Sequence, residues 1–307
     1  MNRGRYREIH RGRGVRTTGV ALLLMMGLTM TAQAASLQVG FEGMEPHLGQ
    51  RFEVRLMDAE TEKMIARTLL VRIDGEAFSL SFDNLMTGRS YRLEFTADLN
   101  GNGRYDSPPA DHAWRISLED LTEETRVDFQ HNTEFVDLGW SELATGGMSD
   151  SAELVDGRVG RDEYGRYQLD LETGIGLYWR TDETTITFGL VSPGLGWVSA
   201  GFDPVSAMQG ADYVLAAVRG EAFTIEDHYG TGRFRHSLDG EQNILESAGT
   251  ESDEETVVEF TIPRESGDSE DSVLTSGKHV LLLGYHESSD SFAARHTARS
   301  SSVITLD

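Results

Sequence analysis

Residues 185–190 read Thr-Ile-Thr-Phe-Gly-Leu, a run in which apolar side chains alternate with small or polar ones. Alternation with a period of two is typical of a β-strand that turns one face to a core. Further short runs of strand character occupy residues 51–56, 78–82, 91–95, 126–129, 167–171, 176–179, 213–218, 256–260, 279–284 and 303–306. Long amphipathic helical patterns do not interrupt them. The sequence therefore predicts an all-β fold.

The length of the chain predicts two domains, because 307 residues exceed one average domain of roughly 100–200 residues. Residues 36–138 show roughly seven strand-like runs, which favours an immunoglobulin-like or transthyretin-like sandwich. Residues 139–153 are rich in glycine, serine and other small or polar residues and lack periodicity, as expected of a linker. Residues 154–307 are predicted to form a second β-sandwich.

The first 34 residues have the pattern of a secretory signal peptide. Six arginines precede the apolar run 20–28, and the small-x-small sequence Ala32-Gln33-Ala34 follows. We expect cleavage after Ala34 and a periplasmic or secreted protein without a membrane span. The alternative is an uncleaved anchor, but the apolar run is shorter than the ~20 residues of a spanning helix.

Charge and composition exclude several classes of function. The net charge of −24 repels nucleic acid, and it suits either a cationic partner or simple solvation in salty surroundings. Cysteine is absent, which excludes thiol catalysis, iron–sulfur clusters and a covalently attached c-type haem.

The second half carries a series of motifs that resembles the DOMON domain family. In chain order the motifs are residues 177–180 (Leu-Tyr-Trp-Arg), 196–202 (Gly-Trp-Val-Ser-Ala-Gly-Phe), 208–214 (Met-Gln-Gly-Ala-Asp-Tyr-Val), 224–230 (Thr-Ile-Glu-Asp-His-Tyr-Gly), 257–260 with Gly267-Asp268, and 296–299 (His-Thr-Ala-Arg). The resemblance implies a DOMON-like sandwich of antiparallel sheets with a cofactor pocket.

In the haem-binding branch of that family, the resemblance implies a b-type haem ligated by one methionine and one histidine. The matching positions are Met208, before Gly-Ala-Asp, and His296, three residues before Arg299. A thioether and an imidazole that fill both axial positions leave no open site for oxygen, as an electron carrier requires.

Other roles for these residues remain open. Met208 has the alternative of filling a gap in the core, and His286 is a rival for the imidazole. Trp197 either packs or stacks on haem, and Arg299 either pairs with a haem propionate or is solvated. The remaining histidines of this half, which we expect to be structural or at the surface, are His228, His236 and His279.

An acidic loop in the first half matches the start of an EF-hand-like calcium loop. The candidate calcium ligands are Asp98, Asn100, Asn102 and Asp106. Position twelve is Pro109 instead of glutamate, with Asp111 as a substitute, and flanking helices are missing from the pattern. The alternative is a rigid hairpin.

Two classes of function follow. The first is an exported, non-catalytic b-type haem protein that exchanges electrons with a redox partner protein, because no catalytic constellation can be assembled. The second is a haem-free sugar-binding, small-molecule-binding or adhesion module. A third interpretation is a protein that carries haem as cargo.

Overall fold

A computed structural model describes residues 34–140, 155–160 and 163–307. Residues 1–33 of the predicted signal peptide and most of the predicted linker, residues 141–153, lie outside the described residues. Within them, no helix is long and apolar enough to cross a membrane.

The described residues are built almost entirely from β-strands, as the sequence predicts. The strands are β1 (Ala34–Glu42), β2 (Phe52–Asp58), β3 (Met64–Leu70), β4 (Ala77–Met86), β5 (Tyr91–Ala97), β6 (His112–Leu118), β7 (Glu124–Gln130), β8 (Arg166–Leu169), β9 (Gly176–Thr181), β10 (Thr185–Ser192), β11 (Val198–Phe202), β12 (Asp212–Arg219), β13 (Ala222–Gly232), β14 (Arg235–Leu238), β15 (Glu246–Glu251), β16 (Thr256–Pro263), β17 (Gly277–Tyr285) and β18 (Ala298–Leu306). A single turn of 3₁₀ helix, Glu45–His47, is the helical element of this part of the chain.

The N-terminal half is a sandwich around an aromatic core. One layer has the order β4-β1-β7, with β1 antiparallel to β4 and parallel to β7. The other layer consists of β3-β2-β5-β6. The ring of Phe41 meets those of Phe52 and Phe95 edge-on, each at 5.2 Å between centroids, an arrangement that adds to the stability from area burial. The immunoglobulin-like or transthyretin-like topology remains a prediction.

The C-terminal half is a second sandwich. A six-stranded sheet with the order β14-β13-β12-β11-β17-β18 packs on the strands β15-β16-β10-β9-β8. The core between them contains Phe188, Phe202 and Phe260, all fully buried. Successive side chains of a strand point to opposite faces, so β12 turns Val214 and Ala216 inward.

One sheet runs through both halves. Strand β8 pairs antiparallel with β3, which gives a nine-stranded sheet with the order β15-β16-β10-β9-β8-β3-β2-β5-β6. At this junction Arg166 donates to the hydroxyl of Thr68 at 2.9 Å. Asn84 also forms two hydrogen bonds with the backbone of Val303. The predicted sandwiches are thus joined by backbone pairing, and the domain boundaries remain a prediction.

Candidate functional site

The outer face of the six-stranded sheet carries buried apolar side chains. Tyr213 and Leu215 of β12 point away from the core, yet they are only 5% and 2% exposed. Leu282 of β17 lies beside them. Met208 and Phe292 pack against these residues and cover them. We call Ala211, Tyr213, Leu215, Met208, Leu282 and Phe292 the outer-face cluster.

Met208 lies in the connection from β11 to β12 and is held there through its backbone. Its carbonyl oxygen accepts from the N–H of Ala211 at 3.2 Å, and its N–H donates to Arg233 at 3.4 Å. Gly230 of β13 lies directly beneath that carbonyl, so closely that a Cβ atom on Gly230 would overlap it. The backbone of Met208 is therefore pressed onto the sheet, and its side chain is half-buried on the outer-face cluster.

His296 lies in the connection from β17 to β18 and lines an open pocket of about 580 Å³. The other residues that line the pocket are Glu172, Arg295, Thr297, Ala298 and Arg299. Burial lowers the pKa of His296, and the positive charges of Arg299 and Arg295 lower it further. The ring is therefore neutral near pH 7, which is the form that binds a metal.

The connections that carry Met208 and His296 both reach the outer face. Phe292, four residues before His296, packs in the same cluster as Met208. Arg299 lies opposite Gly284 in the pairing of β17 with β18, and it lines the pocket together with His296. The structure thus brings the two connections to one face, with Met208 on the outer-face cluster and His296 in the pocket beside Arg299. Ligation of one metal by both side chains remains a prediction.

Trp197 stands at the same face with an unsatisfied polar atom. It is 5% exposed, and its indole Nε1 is buried without a hydrogen-bond partner among the described residues. A Cβ atom built on Gly284 would lie 3.8 Å from the Trp197 ring and 3.4 Å from the Ser199 hydroxyl. A buried N–H without a partner costs about 1–3 kcal/mol, so it points to an acceptor that completes the site.

The residues on this face fit a b-type haem by the chemistry of their donors. Met208 offers a thioether, and His296 offers a neutral imidazole. Gly201 lets the ring of Tyr213 lie flat against the sheet, because a Cβ atom on Gly201 would overlap that ring. Arg299 supplies a cation of the kind that pairs with carboxylates.

The other histidines of this half have local partners. The Nδ1 atom of His286 accepts from the N–H groups of Ser288 and Ser289 at 3.1 and 2.9 Å, which leaves only its Nε2 for any other role. His279 bonds Asp203 at 2.6 Å. His228 bonds Glu226 at 2.8 Å and His236 at 3.0 Å.

Sequence reasoning missed a buried acidic cluster below the Gly-Ala-Asp motif. Oxygens of Asp212, Asp227 and Asp271 lie within 4.8 Å of one another. Burial, with the nearby acidic charges, raises the pKa of Asp227 to about 7 and that of Asp212 well above its usual range. Asp212 also accepts from the N–H of Ser272, sixty residues further along the chain. The acidic segment 268–271 was visible in the sequence as a possible part of such a cluster. Its proximity to β12 could not be predicted, because the fold alone brings the two segments together.

The acidic loop of the first half is held by its own hydrogen bonds. The Asp98 carboxylate accepts from the N–H groups of Gly101, Asn102 and Gly103. The side-chain amides of Asn100 and Asn102 both donate to Asp106, at 2.8 and 2.6 Å. Asp111 accepts from Leu99 and Asp106. These hydrogen bonds hold the loop in the form of a rigid hairpin. Calcium binding remains a prediction.

The C-terminal half is an all-β sandwich with two ordered connections over one face, and this half also matches a known family. The family model of the DOMON domain matches residues 171–286. The C-terminal half therefore carries a DOMON domain. Met208 and Trp197 lie inside the matched range, and His296 lies ten residues beyond it.

Curated relatives match the same part of the chain. DBH-like monooxygenase protein 1 of Homo sapiens is 28% identical over 130 residues, or 42% of this chain and 21% of that protein. Its counterpart in Mus musculus is 27% identical over the same length. The chain thus spans about a fifth of the length of these relatives.

A solved structure also matches. The crystal structure of the cytochrome b domain of pyranose dehydrogenase from Coprinopsis cinerea is 10% identical with a TM-score of 0.34. The match covers 45% of this chain and 86% of that chain.

Proposed function

We propose that the DOMON domain holds a b-type haem between Met208 and His296 and that the protein transfers electrons. The observation that carries this proposal is the shared outer face, to which both connections contribute beside the unbonded Nε1–H of Trp197. The DOMON match over residues 171–286 supports the same function, since both candidate ligands of the haem-binding branch are present.

Each of these residues has a defined task in that proposal. When bound, the haem supplies a one-electron couple. Met208 and His296 would hold the iron through a thioether and an imidazole, and the thioether would raise its reduction potential compared with a second histidine. Arg299 pairs with a propionate carboxylate, and the Nε1–H of Trp197 donates to an acceptor on the ligand.

Export and partner choice belong to the same proposal. The sequence pattern of residues 1–34 supports a periplasmic or secreted location, where a non-covalent haem protein serves a separate redox protein. The acidic surface favours a partner with a cationic patch, and the association rate should then fall as salt rises. In this proposal the protein carries electrons rather than catalysing a reaction.

The absorption spectrum of the full chain, expressed with haem available, tests the proposal. We expect the low-spin spectrum of a six-coordinate b-type haem. Met208→Ala and His296→Ala should each abolish that spectrum, whereas His286→Ala and Met64→Ala should preserve it. Loss of the spectrum in His286→Ala with retention in His296→Ala would reassign the imidazole ligand.

The open pocket beside His296 favours one alternative function. Glu172, Arg295 and Thr297 surround it with polar groups, which suits a sugar or another small polar molecule. Folded protein that stays colourless with excess haem would support this alternative and refute the proposal. Haem that binds but passes rapidly to a competing apoprotein would instead indicate a haem carrier.

A further inference from the structure

Three histidines from distant parts of the sequence meet at one end of the N-terminal sandwich. His47 ends the 3₁₀ turn, His112 begins β6, and His131 follows the last residue of β7. One ring nitrogen of each lies within 4.8 Å of the others. We call these residues the histidine triad. Because they lie on three separate elements of the sandwich, the fold itself brings them together.

The spacing of the nitrogens matches a metal site. The Nε2 atoms of His47 and His131 are 3.1 Å apart, and Nδ1 of His112 lies 3.4 Å from Nε2 of His47. Nitrogens bound about 2.05 Å from a tetrahedral zinc ion are separated by about 3.3 Å. Two of the three separations in the triad are therefore already close to those that a bound metal would impose, and the third, between His112 and His131, is within 4.8 Å.

His47 is oriented for ligation by its second ring nitrogen. Its Nδ1 lies 2.8 Å from Oε1 of Gln50. An amide oxygen only accepts, so Nδ1 carries the proton and the lone pair of Nε2 faces His112 and His131. Metal-binding histidines are fixed in this way by an acceptor on the other nitrogen.

All three rings of the triad pack edge-on against Trp114. His47 is fully buried, and His112 and His131 are half-buried. Burial lowers the pKa of His47 and of His112, and the neighbouring histidines lower both further. Phe135 stacks on His112 at 3.9 Å between centroids. The triad therefore lies in a largely aromatic surrounding.

A hydrogen-bonded network is the competing explanation. In that case the N–H groups of both His112 and His131 have to share the single lone pair of His47 Nε2. Two N–H groups would then compete for one lone pair, and neither hydrogen bond would be fully formed. A metal ion instead satisfies all three lone pairs at once.

We propose that His47, His112 and His131 bind one divalent transition-metal ion of the zinc type, with the fourth coordination position open. Three imidazoles without a carboxylate suit Zn²⁺, Cu²⁺ or Ni²⁺, whereas Ca²⁺ and Mg²⁺ require oxygen ligands. The site is separate from the proposed haem site and does not depend on it.

Equilibrium dialysis of the full chain against Zn²⁺, without a histidine tag and after treatment with a chelator, tests the site. We expect one zinc ion per chain. His112→Asn and His131→Asn should each weaken its binding more than about 100-fold, and Gln50→Ala should weaken it within the 10–100-fold range of outer partners. With Co²⁺ in place of zinc, the wild type should show the intense visible bands of four-coordinate cobalt.

His236→Asn is the matched control, because it removes the His228–His236 pair and leaves the triad intact. It should bind zinc as the wild type does. Failure of the folded wild type to bind zinc would overturn the proposal in favour of the hydrogen-bonded network. Zinc binding that survives His112→Asn and His131→Asn, or that is lost in His236→Asn, would also overturn it. Circular dichroism of each variant checks that the sandwich is intact.

Discussion

The carbonyl oxygen of Met208 occupies the space that a side chain on Gly230 would need. This contact sets the height of the Met208 connection above β13. Two backbone hydrogen bonds, to Ala211 and Arg233, hold the connection at that height. The position of the proposed sulfur ligand therefore depends on a glycine in a neighbouring strand.

We expect Gly230→Ala to displace Met208. The added methyl group overlaps backbone, which cannot rotate away, so the cost should resemble overpacking at about 1–3 kcal/mol. The low-spin haem spectrum should weaken together with the midpoint of thermal unfolding. Gly232→Ala is the control, because nothing lies within 4 Å of its Cβ position. Equal effects of the two substitutions would contradict this account.

The buried acidic cluster should make stability fall as pH rises. The pKa of Asp227 is about 7 in the folded protein, against about 3.9 in an unfolded chain. Between these values the folded state retains a proton that the unfolded state has lost, so raising the pH favours unfolding by at most about 1.4 kcal/mol per pH unit. Above pH 7 both states are ionised and this effect levels off.

Asp227→Asn should reduce the pH dependence of the free energy of unfolding, measured by urea unfolding between pH 4 and pH 8. The amide stays neutral throughout, so the variant should gain stability over the wild type as the pH rises. Asp253→Asn, at an exposed position, should leave the slope unchanged. Parallel pH profiles of wild type and Asp227→Asn would show that this carboxyl group does not carry the effect.

The fold class could be read from the sequence wherever apolar side chains alternate along a strand. In strand β10, Ile186 and Phe188 face the core, while Thr187 points to the opposite face, which is also buried. Strands β14 and β15 escaped notice because they lie at the sheet edges and are largely exposed, as in residues 246–251. The pairing of β8 with β3 could not be predicted from the sequence either, since it joins residues about a hundred positions apart.

The candidate site shows the same division. Met208 and His296 were recognisable from local motifs, and Trp197 lies in one of them. The unbonded Nε1–H of Trp197 and the histidine triad were not, because they depend on which segments the fold brings together. His47 and His131 are 84 residues apart in sequence, and only the closure of the N-terminal sandwich places their nitrogens 3.1 Å from each other.

Met208→His should lower the reduction potential while the haem stays six-coordinate. An imidazole favours ferrous iron less than a thioether does, so the bis-histidine form is harder to reduce. Potentiometric titration followed in the visible spectrum measures the shift. His286→Gln, which is outside the proposed ligand pair, should leave the potential near that of the wild type. A raised potential in Met208→His would indicate that Met208 is not an axial ligand.

The acidic loop gives the last prediction, which separates the rigid hairpin from the calcium site. Asp98→Ala removes the acceptor of three N–H groups and should lower stability by about 1–3 kcal/mol even without calcium. Asp106→Ala should cost less, because the partners of Asp106 are the side-chain amides of exposed residues, which reach water. If calcium binds here, millimolar calcium raises the melting temperature of the wild type but not that of the Asp98→Ala, Asp106→Ala double variant. Asp227→Asn is the control, because it changes a separate carboxylate cluster, and it should retain the full response. A response that is lost in Asp227→Asn and kept in the double variant would place the ion in that cluster and leave the loop as a hairpin.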